Sequence, residues 1–335
     1  MTYYEKRIKT FYTEKQAIKE PVGTSYSPLK PYLLMEKLKM YQLDRHLDVD
    51  GNFSPYEESD FAIAHKLDYI RDFFQGVEPA ASSNYLSWNP VFANSIRYTN
   101  SSLYEAQRYA LENPGSITFS PTSGFHHAGP NRGSAFCSFS GQVISALKLY
   151  RDQNLRKKYG KPICTAWIDM DGHFGNSIGD TYSFAPDLKQ AIPEEFNINP
   201  EGRGRSYLND LAKKLDHLSR AVLQGEIQSI CFAQGADSHA SDDLGFQLNT
   251  PEWIEAHTMV YNKILEITKE LKKPIPLTLS LFGGYRSDDY DSVLNLHSKN
   301  LASCLEILAG VEVNFQIRDA EEAGRRKKRI IRFDS

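Results

Sequence analysis

From residue 162 onward the chain alternates between two incompatible periodicities, and this alternation limits its fold more than any other feature. Short apolar runs with no helical period occur at PICTAWI (162–168), IQSICFA (227–233), PIPLTLSL (274–281) and VEVNFQI (311–317). Between them lie helical patterns over 206–224, 251–272 and 288–309. A strand buried on both faces reads as an unbroken apolar run, and a crossover of helical length forces the strands it joins to run parallel. The expectation is an α/β fold: a single domain with a mainly parallel β-sheet flanked by helices. The first half is less regular. Pro28 and Pro31 bracket the start of a helix through Leu33, Leu34, Leu38 and Met40, and 59–75 carries Phe61, Ala62, His65, Tyr69 and Phe73 as one helical stripe. The Pro-, Ser- and Asn-rich segment 78–101 predicts a long loop, followed by helices over 102–112 and 139–155.

Composition removes several classes of function. Lys and Arg number 39 against 42 Asp and Glu, a net charge of −3 that makes nucleic-acid binding by a general basic field unlikely. No run approaches the roughly 18 apolar residues of a membrane span. The charged N-terminus is not followed by an apolar stretch, so no secretory leader is expected. Cys137, Cys164, Cys231 and Cys304 form no paired motif and read as free thiols in a reducing, cytoplasmic setting. Arg325–Arg329 in the basic end 324–335 reads as a solvated helix end, with a nucleic-acid or nuclear-import patch as the alternative, and Tyr3, Tyr4 and Tyr12 as a packed extension or an interface.

In parallel sheets, ligands bind beyond the carboxyl ends of the strands. The first of these runs ends in Asp169-Met-Asp171-Gly-His173, the second in Gln234-Gly-Ala-Asp237, the third in Phe282-Gly-Gly-Tyr285. Residues i and i+2 of an extended segment point the same way, so Asp171 and His173 can reach one ion, with Asp237 closing the set from a neighbouring strand. One nitrogen and two carboxylates suit zinc with positions left open for catalysis, and Fe²⁺, Mn²⁺ or Co²⁺ are alternatives. The competing reading is a strand-end turn with capping carboxylates. The adjacent His126 and His127 are either a solvated loop pair or a general base and acid, with Asp169 and Asn176 available to orient them.

The motifs PTSGFHHAGPNRGSAFCSFSGQVISAL, WIDMDGHFGN, QGADSHASDDLG and LFGGY, with a weaker AHKLDYI near residue 65, occur in the order found in the metal-dependent histone deacetylase family, and the chain resembles that family, its class II and bacterial members by Asn176. The resemblance covers most of the chain and implies one arginase/deacetylase-like catalytic domain over 1–335. It implies Asp171, His173 and Asp237 as ligands of one Zn²⁺, and a structural K⁺ or Na⁺ near Asp169, Asp171 and the His173 carbonyl. His127 would be general base and then acid, held by Asn176; His126, held by Asp169, would be its electrostatic companion. Tyr285 would donate to the substrate carbonyl, and Phe136 would wall an acyl-lysine channel.

The chain departs from the family pattern at several positions. Ala135 stands where many members carry Gly, which bears on the acyl-binding floor, and Phe174 replaces a second His, an exchange expected to affect packing. Leu244 falls at the channel mouth and supplies no charge for a polyamine. The implied activity is a zinc-dependent amidohydrolase acting on acyl-lysine of a protein or on a small acylated amine. An acylpolyamine hydrolase and a catalytically silent acyl-lysine-binding module are the alternatives. An arginase-like two-metal site would need further ligands that Gly172 and Phe174 do not provide. No membrane partner is expected, and oligomerisation is compatible with the sequence. His239 is expected near the rim but not as a ligand; His46, His217, His257 and His297 are expected at the surface or with satisfied partners.

Overall fold

The computed structural model describes residues 2–19, 25–313 and 315. Seven strands, β1 (Ile8–Phe11), β2 (Leu47–Asp50), β3 (Ile117–Ser120), β4 (Thr165–Asp169), β5 (Asn197–Ile198), β6 (Ser229–Gly235) and β7 (Leu277–Phe282), form one sheet in the order β2-β1-β3-β7-β6-β4-β5. Every pairing is parallel, as the alternation of strand and helix requires. The helices are α1 (Lys30–Met40), α2 (Glu58–Phe61), α3 (Leu67–Gln75), α4 (Pro90–Glu112), α5 (Gly141–Arg151), α6 (Gln153–Tyr159), α7 (Ser177–Thr181), α8 (Leu188–Ala191), α9 (Arg205–Leu223), α10 (Thr250–Leu271) and α11 (Tyr290–Cys304).

Period-two alternation sorts each strand between two cores. Ile230 and Phe232 of β6 pack with α1, α9, α10 and α11, while Cys231 and Ala233 face α3, α4 and α5. Helix α9 contributes Tyr207, Leu208, Leu211, Leu215, Leu218 and Val222, a stripe at three- and four-residue spacing. Tyr4 is buried and its hydroxyl donates to the Ile275 carbonyl, so this part of the N-terminal extension is packed. None of the described helices is long and apolar enough to cross a membrane.

The first half departs from the sequence expectations. Strands β1, β2 and β3 were not foreseen: each has four residues mixed with polar ones, too short and too polar to stand out. Helix α4 begins at Pro90, not near 102. Asn89 caps it by accepting from the Phe92 amide at 2.8 Å, and Pro90 sits in its first turn. Its Ser- and Asn-rich start has low helix propensity, but Ser102 reaches the Phe11 carbonyl at 2.6 Å and Ser120 at 2.7 Å, so α4 lies over a polar strip of the sheet. The stripe over 59–75 is broken between α2 and α3, and the helix expected over 139–155 divides at Asp152, whose carboxylate caps α6. Residues 311–313 and 315 form no strand; the rest of 311–317 and the basic run Arg325–Arg329 lie outside the described residues.

Candidate active site

Strands β3, β7, β6 and β4 are consecutive neighbours, so the segments leaving their carboxyl ends share one rim. The β4 exit carries Asp169, Asp171 and His173, the β6 exit Asp237, the β7 exit Gly283–Tyr285, and the loop after β3 carries His126 and His127. Ligand atoms of Asp171, His173 and Asp237 lie within 4.8 Å of one another. His173 Nδ1 stands 3.0 Å from Asp171 Oδ1 and 2.9 Å from Asp237 Oδ2. Asp237 Oδ1 is buried with no hydrogen-bond partner among the described residues, and Asp171 Oδ2, also without a hydrogen bond, only faces His126 Nε2 at 3.5 Å, although a buried carboxylate oxygen needs a donor or a cation. The residues present therefore fit a divalent ion. Gly283, at φ +49°, protects the space for it: a Cβ there would lie 1.8 Å from Asp237 Oδ1.

The charges also call for a cation. Asp171 and Asp237, accepting from His173 Nδ1, raise the His173 pKa to about 10, so the two carboxylates favour a positive charge between them. Burial opposes ionisation of Asp171, but His126 and His173 hold it below the usual carboxylate range. Burial and the charge of Asp171 push Asp237 up.

The histidine pair is internal, not a solvated loop pair. His126 is buried and its Nδ1 donates to Asp169 at 2.9 Å; burial opposes its charged form, yet Asp171 and Asp169 raise it to about 9. His127 Nδ1 donates to Asn176 Oδ1 at 2.7 Å, and Asn176 is itself anchored to Asp180 at 2.6 Å. That bond leaves the lone pair on His127 Nε2. Burial and the neighbouring His126 lower the His127 pKa, so the ring is neutral near pH 7. The two rings are 4.0 Å apart.

Tyr285 lies 6.1 Å from the His173 ring and 5.5 Å from the Phe136 ring, centroid to centroid. Burial and the nearby carboxylates raise its hydroxyl well above the ordinary tyrosine value, so it stays a donor. Its amide donates to Asp242 at 2.8 Å.

Ala135 and Phe136 are the central residues of a tight turn in which Ser134 and Cys137 exchange backbone hydrogen bonds. Both have positive φ, +40° and +64°, a conformation that favours glycine. The glycine preference at position 135 is thus conformational, and the strained turn presents the Phe136 ring. Leu244 is exposed. Phe174 is 63% exposed and so contributes little packing, contrary to the expectation for it.

Several supporting residues were not recognised as such from sequence. His65, in the gap between α2 and α3, donates to the Gly129 carbonyl and accepts from the Ser140 amide, each at 2.9 Å, bracing both ends of the His-His loop. Tyr69 adds a bond to the Ser138 carbonyl at 2.5 Å. The AHKLDYI segment was the available signal. Lys30 is fully buried and donates to the Gly283 carbonyl, and nothing in its surroundings in sequence announces it. His239 is buried between Ser241 and Thr250 and serves structure. His257 and His297 are buried too; His257 donates from Nδ1 to the Trp253 carbonyl at 2.8 Å, whereas neither His297 nitrogen has a hydrogen-bond partner among the described residues, which corrects the expectation for His297.

Comparison with known proteins agrees with this geometry. No curated protein matches the chain significantly. Residues 26–189 match the family model of the histone deacetylase domain, a span that includes His126, His127, Phe136 and the β4 exit; Asp237 and Tyr285 lie beyond it and are brought in by the fold. With that match, the parallel α/β architecture and the four motifs meeting at one rim, the chain belongs to the histone deacetylase-like family.

Proposed function

We propose that this chain is a metal-dependent amidohydrolase that removes acetyl or other acyl groups from acyl-lysine or a similar small acylated amine. The observation that carries the reading is the convergence of three buried-to-half-open ligands on one point beside a neutral imidazole whose free nitrogen is fixed by Asn176. Asp171, His173 and Asp237 would hold the ion, zinc by the nature of the donor set. When bound, a divalent ion there polarises an amide carbonyl and makes water more acidic.

The chain's own residues supply the remaining steps. His127 Nε2 takes a proton from the attacking water and returns it to the leaving amine. His126, charged and held by Asp169, sets the field beside it. The Tyr285 hydroxyl donates to the carbonyl oxygen as negative charge grows there, a contribution typically worth about 100- to 1,000-fold in rate. Phe136 and Tyr285 flank the acyl chain, with Ala135 shaping the turn and Leu244 at the mouth. Asp169 spends its oxygens on the His126 ring and the Asp171 amide, so a K⁺ or Na⁺ beside it would rely on backbone carbonyls as well.

The test is metal content and turnover on one preparation. About one zinc per chain and hydrolysis of a fluorogenic acetyl-lysine, abolished by a hydroxamate chelator, are expected. A fully zinc-loaded protein that cleaves no acylated amine would overturn the reading.

A further inference from the structure

The open side of the site has an unusual lining. The His173 side chain is 37% exposed, so the ligand set opens to solvent here. Around it, Phe174, Leu244 and Phe246 are exposed by 63%, 49% and 47%. Phe246 has φ +89°, a left-handed conformation that a bulky residue adopts only under constraint, and its amide is tied to the Asp237 carbonyl at 3.1 Å. Strain spent on placing an aromatic ring in water marks a contact surface.

Arg203 lies on that ring, its guanidinium 5.1 Å from the Phe246 centroid. Its loop is tied to the metal turn: the Gly204 amide donates to the Gln247 carbonyl at 2.9 Å, and Gln247 Nε2 donates to the Gly172 carbonyl at 2.5 Å. Arg205, two residues on, is paired with Glu255 at 2.9 Å, whereas Arg203 has no carboxylate partner among the described residues. Stacking on an aromatic face restricts the guanidinium while leaving its donor fork free for a carboxylate.

The nearby acids are committed elsewhere. Asp242 accepts from the Leu244 and Tyr285 amides, Asp243 from Ser287, and Asp180 from Asn176. Glu252 accepts from the Asn249 amide through Oε2 and turns Oε1 towards Gly204, so among the described residues the mouth is apolar apart from Arg203 and this carboxylate.

We propose that Arg203, seated on Phe246, selects acylated amines whose distal end carries a carboxylate, such as a free Nε-acyl amino acid, over cationic polyamines. The inference rests on the deacylase reading and names its substrate class. It is tested by binding and turnover together. In the His127→Ala background, calorimetry compares Nε-acetyl-lysine with its α-carboxamide; in the zinc enzyme, kcat/KM is compared for the same pair and for acetylputrescine.

The carboxylate is expected to bind about tenfold more tightly than the amide, with the same order in kcat/KM carried by KM. Arg203→Ala should bring the ratio to within about twofold of one, Arg203→Lys should restore part of it, and Arg205→Ala should leave it in place. Equal binding of carboxylate and amide, or Arg203→Ala weakening both alike, overturns the proposal. Discrimination in binding with no turnover of any ligand overturns the deacylase reading instead.

Discussion

At the residue scale, the proposed function separates groups that hold charge from groups that move protons. Asp237 is fully buried with one unpartnered oxygen, so its removal leaves His173 and Asp171 unable to enclose a cation. His127 is not within the ligand set, and its hydrogen bond goes to Asn176. Asp237→Ala should therefore lose the metal, measured by elemental analysis. His127→Ala should keep it and lose turnover by about 100-fold or more. Retention of full activity by both variants would end the assignment of roles. His65 makes the same point for structure: its neutral ring uses one nitrogen as donor and the other as acceptor, and a protonated ring could not do both.

At the element scale, the turns after the strands matter more than the strands. The Ser134–Cys137 turn places an alanine and a phenylalanine where hairpin turns of this shape favour glycine or asparagine. Ala135→Gly should relax that strain and raise stability by up to about 1 kcal/mol, read as an increased urea midpoint. A decrease would show that the alanine methyl makes a packing contact that outweighs its backbone conformation. Helix α4 is an instructive failure of local reading. Its first half is rich in Ser, Thr and Asn, yet Ser95, Thr99 and Asn100 donate to carbonyls of α4 itself and Ser102 bonds to Ser120 of the sheet, so these side chains have partners that water would otherwise supply.

At the scale of the whole molecule, the buried histidines couple folding to pH. His65 and His257 are held neutral by burial, with pKa values lowered to about 3. In the unfolded chain each titrates near about 6.5. Between those values the unfolded state binds more protons, so stability is complete above the unfolded value and falls as pH drops towards the folded one. Each histidine contributes a slope approaching about 1.4 kcal/mol per pH unit. The urea midpoint should fall clearly between about pH 6.5 and pH 5, below the window in which the raised His126 and His173 act in the opposite sense, and His65→Gln should flatten the dependence. A midpoint constant over that range would show that these rings are solvated in the folded protein.

The amino-acid sequence by itself determined the parallel α/β class, because buried strands and amphipathic crossovers leave patterns of different period. It also determined the candidate chemistry, because residue type and i, i+2 spacing at a strand end are local properties. The tertiary structure decided what depends on neighbours distant in the chain. It set the strand order that brings Asp237 and Tyr285 beside Asp171 and His173, and it gave Ser102 of α4 its partners on β1 and β3. It also buried Lys30 behind Gly283 and seated Arg203 on Phe246. Those contacts join residues tens to hundreds of positions apart, and no periodicity or propensity within one segment encodes which partner will be there.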